Sequence, residues 1–70
     1  MKGLIPDGTT FKWLQRKFYV VTHICDGTHI VYILKYYDLG NHHWCYEAWE
    51  KWDMDYKVSS GMLENLKVKE

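Results

Sequence analysis

The segment from Phe18 to Tyr37, FYVVTHICDGTHIVYILKYY, decides the fold of this chain. Phe18 to Ile24 is dense in aromatic and β-branched residues, which suit a pleated, half-buried surface. His29 to Tyr37 repeats that composition. Asp26-Gly27 stands between the two runs, and an Asp-Gly flanked by β-rich segments is the strongest short-range hairpin signal. The reading is a central antiparallel hairpin. Both runs are apolar on both faces along much of their length, so each face is expected to be covered.

On the N-terminal side, Pro6-Asp7-Gly8 is turn chemistry. Thr9 to Trp13 alternates polar and apolar and reads as a short strand, with Leu14-Gln15-Arg16 as the connection into the hairpin. On the C-terminal side, Asp38-Leu39-Gly40-Asn41 is a second turn cluster, followed by the ambiguous HHWCYEAWEKW of 42–52. With period two, Trp44, Tyr46 and Ala48 share one face while Cys45, Glu47 and Trp49 share the other. With period 3.6, Cys45, Ala48, Trp49, Trp52 and Tyr56 form one stripe. The expectation is a strand over 43–47 and then one or two helical turns to about Asp53. Tyr56-Lys57-Val58 reads as a strand fragment, Ser59-Ser60-Gly61 as a loop, and Met62 to Val68 as a last short strand or a single turn plus a strand.

Short strands separated by frequent turns predict a mainly β (β-rich α+β) domain spanning 1–70 as one unit. Its heart is a small antiparallel sheet around the central hairpin, and an SH3-like half-barrel fits the order of segments. The competing arrangement is a three-stranded sheet with a short helix packed on it.

A chain of 70 residues buries only about 60% of the surface its unfolded form exposes. Apolar density compensates: 47% of residues are hydrophobic and 17% aromatic, which excludes a disordered chain. Nine basic and nine acidic residues cancel, and this argues against affinity built mainly on phosphate neutralisation. The charges are unevenly spread, however. Residues 1–35 hold five basic side chains against two acids, and residues 36–70 hold four against seven. No leader-like apolar run opens the sequence and no stretch is long enough to span a bilayer. The expected setting is cytoplasmic, with Cys25 and Cys45 as reduced thiols.

Cys25, His29, His42, His43 and Cys45 are residue types that ligate zinc, but their spacing lacks the paired C-x2-4-C of finger and ribbon sites. A two-residue loop at Asp26-Gly27 would set His29 opposite Ile24, on the other face of the sheet from Cys25. A three-residue loop would bring Cys25 and His29 together. Buried, inert cysteines and solvated histidines are the more economical reading, so no metal and no cofactor are expected. His43 and Cys45 alternate along a strand and so share a face, as a nucleophile and base would. A pocket of about 300 Å³ with a supporting shell is hard to carve from so small a core. No phosphate loop, nucleophile elbow or metal-pair motif is present. No catalytic residue is expected.

The chain has four Trp, six Tyr and two Phe, more rings than a core of this size encloses with ease. Tyr and Trp tolerate a wet boundary and dominate interface hot spots. Tyr36, Tyr37, Trp44, Tyr46, Trp49 and Trp52 are therefore the candidate partner-binding surface, rimmed by Glu47 and Glu50 with Asp53 and Asp55. The expected function is a non-enzymatic protein-binding module of inhibitor or adaptor type, acting on a protein partner or by self-association, a homodimer included. The alternative is a small β-barrel that binds single-stranded nucleic acid by stacking bases on aromatics. Lys35 and Lys51 lie near the rings in sequence, Glu47 and Glu50 would oppose phosphate, and Lys12, Arg16 and Lys17 make the only basic cluster. In general style, with no motif behind it, such a chain resembles the inhibitors and adaptors that phages and other mobile elements encode.

Overall fold

The computed structural model describes residues 3–70. Its elements are β1 (Thr10–Trp13), β2 (Arg16–Asp26), β3 (His29–Asp38), β4 (His43–Glu50), α1 (Lys51–Ser59) and β5 (Glu64–Lys67). The strands form one open antiparallel sheet of five, in the order β4-β3-β2-β1-β5. The first four make a meander, and β5 returns to pair with β1. The domain is thus mainly β, built around the hairpin at β2–β3. Among the described residues no helix is long and apolar enough to cross a membrane.

The hairpin turns one residue later than Asp26-Gly27. Asp26 pairs with His29, so the loop is Gly27-Thr28, with Gly27 at φ 64°. Asp26 prefers to close the ladder because glycine alone takes the left-handed position at no steric cost. Cys25 then faces Ile30 and Ile24 faces Val31. Cys25 and His29 end on opposite faces, by a different register from the one expected.

A bulge in β2 has larger consequences. The register steps from Val20↔Leu34 to Thr22↔Ile33, leaving Val21 as the extra residue. An inserted residue reverses which side chains face inward. Phe18 and Val20 point to the core, but beyond the bulge His23 shares that face with Tyr32 while Ile24 turns outward, 54% exposed. On the other side of β2, Val20 N donates to Thr9 O (2.9 Å) and Gly8 N donates to Val20 O (2.8 Å), so the N-terminal segment carries the β1–β2 pairing on past Thr10.

The expected break between strand and helix near residue 47 is corrected. β4 continues to Glu50, and the helix runs from Lys51 to Ser59, so Tyr56-Lys57-Val58 is helical and not strand. Met54, Lys57 and Val58 recur at helical spacing and face the core. The helix ends in a Schellman motif. Gly61, at φ 76°, donates to Val58 O (3.2 Å) and Met62 N donates to Lys57 O (3.0 Å). The Ser-Ser-Gly read as a loop is this helix stop.

Phe11, Phe18, Val20, Tyr32, Leu34, Trp49 and Met54 form the core. It lies on one face of the sheet, between the strands and α1. Phe11 stacks on Phe18 with centroids 5.5 Å apart, and Trp49 packs on both. Lys57 is buried beside them. Its ammonium sits 3.9 Å from the Trp49 ring centroid and 4.6 Å from that of Trp13, and donates to Asp53 at 2.7 Å. Ile5 N donates to the Tyr32 hydroxyl at 2.9 Å and ties the N-terminal segment to the same side. The helix covers this face alone, and among the described residues no helix lies on the other.

Candidate functional site

Directly opposed residues in an antiparallel ladder share a face, so the strand registers map the outer surface of the sheet. Thr10 pairs with Lys67 on one side and Tyr19 on the other; Tyr19 pairs with Lys35, and Lys35 with Tyr46. One row, Lys67–Thr10–Tyr19–Lys35–Tyr46, therefore crosses all five strands, about 19 Å at the usual strand spacing. Beside it, Lys12 pairs with Lys17, and Tyr37 with Trp44.

The rings on this face touch one another and the lysines. Trp44 meets Tyr37 edge-on at 5.4 Å and Tyr19 at 5.7 Å. Lys35 Nζ lies 4.7 Å from the Trp44 centroid, and Lys17 Nζ 5.3 Å from that of Tyr19. A groove of about 540 Å³, lined by Arg16, Lys17, Tyr19, Tyr37 and Trp44, opens between the β1–β2 and β3–β4 turns. A second groove of about 310 Å³ shares Lys17 and runs on past Lys12 and Lys67.

Charge is sorted between the two sides of the molecule. Among the described residues, Lys51 and Lys57 pair with Asp55 and Asp53 on the helix, whereas Lys12, Lys17, Lys35 and Lys67 of the outer face form no ion pair; Arg16, opposite Trp13 and over the Tyr36 ring, lies on the core side at the end of the sheet. Glu64 stands opposite Lys12 in the ladder, and Asp38 borders the larger groove. Asp38 is occupied by its own turn. Its carboxylate accepts from Asn41 Nδ2 (3.0 Å) and Gly40 N (2.9 Å). The Asn41 side chain is the main cause that holds this carboxyl below its ordinary range.

The eight residues expected on one partner surface separate into four places. Tyr37, Trp44 and Tyr46 lie on the outer face, 39%, 44% and 63% exposed. Trp49 is a core residue, only 5% exposed, and its Nε1 donates to Glu47 Oε1 at 3.0 Å, which draws Glu47 to the helix side. Tyr36 also faces the core, 5.0 Å from Phe18, with the Arg16 guanidinium 4.8 Å from its ring centroid. Its hydroxyl is held above the ordinary phenol range, first by a hydrogen bond to Cys45 and then by desolvation. Trp52 is 71% exposed on α1, one turn from the exposed Tyr56. Glu50 pairs with His29 at the far end of β4.

The acidic rim therefore does not surround the outer rings; the charges nearest them are lysines. Tyr19 and Lys67 belong to this face and were not among the expected residues. Their signal was register: the alternation of Lys17, Tyr19 and Val21 places the first two together, but only strand pairing sets them beside Lys35 and Trp44. Of the candidate metal ligands, His43 Nδ1 lies 3.6 Å from Cys45 Sγ. Among the described residues no three His, Cys, Asp or Glu side chains converge on a common point.

Comparison with protein-family models, curated proteins and solved structures finds no match.

Proposed function

We propose that this chain is a non-enzymatic binding module whose outer sheet face holds single-stranded nucleic acid. One observation carries the reading: Tyr19, Lys35 and Tyr46 alternate ring, cation and ring in a row that Thr10 and Lys67 carry to the far edge, and neither lysine has a carboxylate partner. Binding without sequence preference needs π faces for bases and a cationic track for the backbone, together on one surface. A zero net charge does not oppose this, because the acids lie mainly on the helix side and at the opposite ends of the strands. The return of β5 to β1, with a helix between β4 and β5, supports an SH3-like half-barrel as the finer description of the fold.

The test is fluorescence anisotropy with a labelled single-stranded oligonucleotide across a salt series. Four lysines on the outer face (Lys12, Lys17, Lys35 and Lys67) against phosphate give a slope of log K on log salt of about −2.8. Lys35→Gln should reduce that slope by about 0.7, and Trp44→Ala should weaken binding at every salt. Absence of binding at low salt overturns the proposal.

A second reading keeps the protein partner. Trp52 and Tyr56 are exposed one helical turn apart, with Glu50, Asp53 and Asp55 around them, which supports contact with a basic protein surface through α1. Loss of partner capture with Trp52→Ala, while Lys35→Gln captures normally, would favour it.

A further inference from the structure

The two edges of the sheet differ in kind. β5 is four residues long, carries Lys67 and Glu64, and is interrupted by a register shift at left-handed Asn65. These are the devices that stop an edge from pairing with another chain. β4 is neither short, nor broken in register, nor does it carry lysine, its charges being Glu47 and Glu50. It is eight residues long, HWCYEAWE, without lysine or proline, and its register with β3 is unbroken from His43 to Glu50. Its outer backbone groups are a ready template for a further strand.

We propose that β4 pairs antiparallel with β4 of a second copy of this chain, about a two-fold axis through Cys45. Such an axis stands normal to the sheet and keeps the core faces on one side, so a residue can oppose only one of like parity. Centring on Glu47 opposes the two Glu47 carboxylates, a destabilising arrangement. Centring on Tyr46 sets Cys45 against Glu47 and His43 against buried Trp49, with no complementary pair within the strand. Centring on Cys45 sets His43 against Glu47 twice, an imidazole against a carboxylate, and Trp44 against Tyr46 twice. It also brings the two Cys45 residues face to face. Opposed Cα atoms lie about 4.5 or 5.5 Å apart, depending on the type of pair, and both values fall within the range a disulfide spans. Zero net charge adds no repulsion between copies. The dimer joins the outer faces of the two copies, the row that ends at Tyr46 of one meeting the Trp44–Tyr37 pair of the other, and it stands whether or not that face binds nucleic acid.

The test uses Cys25→Ser protein, since Cys25 is exposed and free. Light scattering should show mass rising with concentration from 8.5 kDa toward twice that value. Diamide, a two-electron thiol oxidant, should take two electrons and two protons from the Cys45 pair and give a covalent dimer on a non-reducing gel. His43→Glu and Glu47→Lys should each weaken association about tenfold, with circular dichroism confirming that each is folded. Mixing the two variants restores both opposite-charge pairs and should recover the dimer. A monomer at all concentrations overturns the proposal; a dimer that does not cross-link, or whose charge variants are not rescued by mixing, overturns the pairing about Cys45.

Discussion

Trp49 and Trp52 stand three positions apart in one aromatic run, and the fold gives them opposite fates. Trp49 is 5% exposed, wedged among Phe11, Trp13 and Phe18, with the Lys57 ammonium 3.9 Å from its ring centroid and its Nε1 on Glu47. Truncating a buried tryptophan to alanine costs about 3–5 kcal/mol in lost transfer energy and cavity. The change also strips a ring from a buried ammonium, worth about another 1 kcal/mol. A domain of this length has a total stability of roughly 4–10 kcal/mol. Trp49→Ala should therefore lower Tm by more than about 12 °C, or leave the chain unfolded. Trp52 is 71% exposed, and Trp52→Ala should stay within about 0.5 kcal/mol of the parent. Thermal melts followed by near-ultraviolet circular dichroism read both, with Trp49→Phe as a milder control. If Trp49→Ala melts within about 2 °C of the parent, corresponding to a loss under about 0.5 kcal/mol, the assignment of Trp49 to the core is wrong.

Three further outcomes follow from single sites. Lys57→Met keeps the stem but removes the charge between the Trp13 and Trp49 rings; urea denaturation should show a loss of about 1–2 kcal/mol, and a gain would mean that the cost of burying the ammonium exceeds its attraction to the rings. Leu14 and Gln15 form the β1–β2 turn with both φ values positive, 52° and 64°, at a cost of about 1–2 kcal/mol per residue without glycine. The double change Leu14→Asn and Gln15→Gly should raise Tm by roughly 4–8 °C for each kcal/mol recovered, and an unchanged Tm would show the turn to be unstrained. Asp38→Ala removes a carboxylate whose folded pKa lies below its ordinary 3.8. The stability this group confers is present in full above the ordinary value and lost as pH falls through the lower folded value, so parent and variant should differ at pH 7 and converge in strong acid, and a difference that widens in acid would contradict the assignment.

Much of the fold was legible because local chemistry carried it. Two β-rich runs around Asp-Gly could hardly be other than a hairpin, and the turn at Asp38 to Asn41 stands where its residues suggest, with Asp38 bonding to Gly40 and Asn41. The segment after Trp44 was harder, since its apolar residues satisfy both periods. The period changes at Glu50, and nothing local marks the change: the helix has no side-chain cap at its N-terminus. What decides it is Met54, Lys57 and Val58 reaching a core built by strands far away in sequence. The bulge at Val21 was invisible for the same reason, because its partners are Leu34, Ile33 and the backbone of Gly8 and Thr9.

The candidate site divides along similar lines. The sequence alone determined that the rings outnumber what one small core holds, that the charges cancel, and that a hairpin organises the chain; these are properties of composition and of neighbours in sequence. Which rings are inside, and which charges lie beside those left outside, was decided only by strand register. A ladder brings Lys67, Tyr19, Lys35 and Tyr46 into one row from four different strands, and a bulge or turn moved by one residue sends every side chain beyond it to the opposite face.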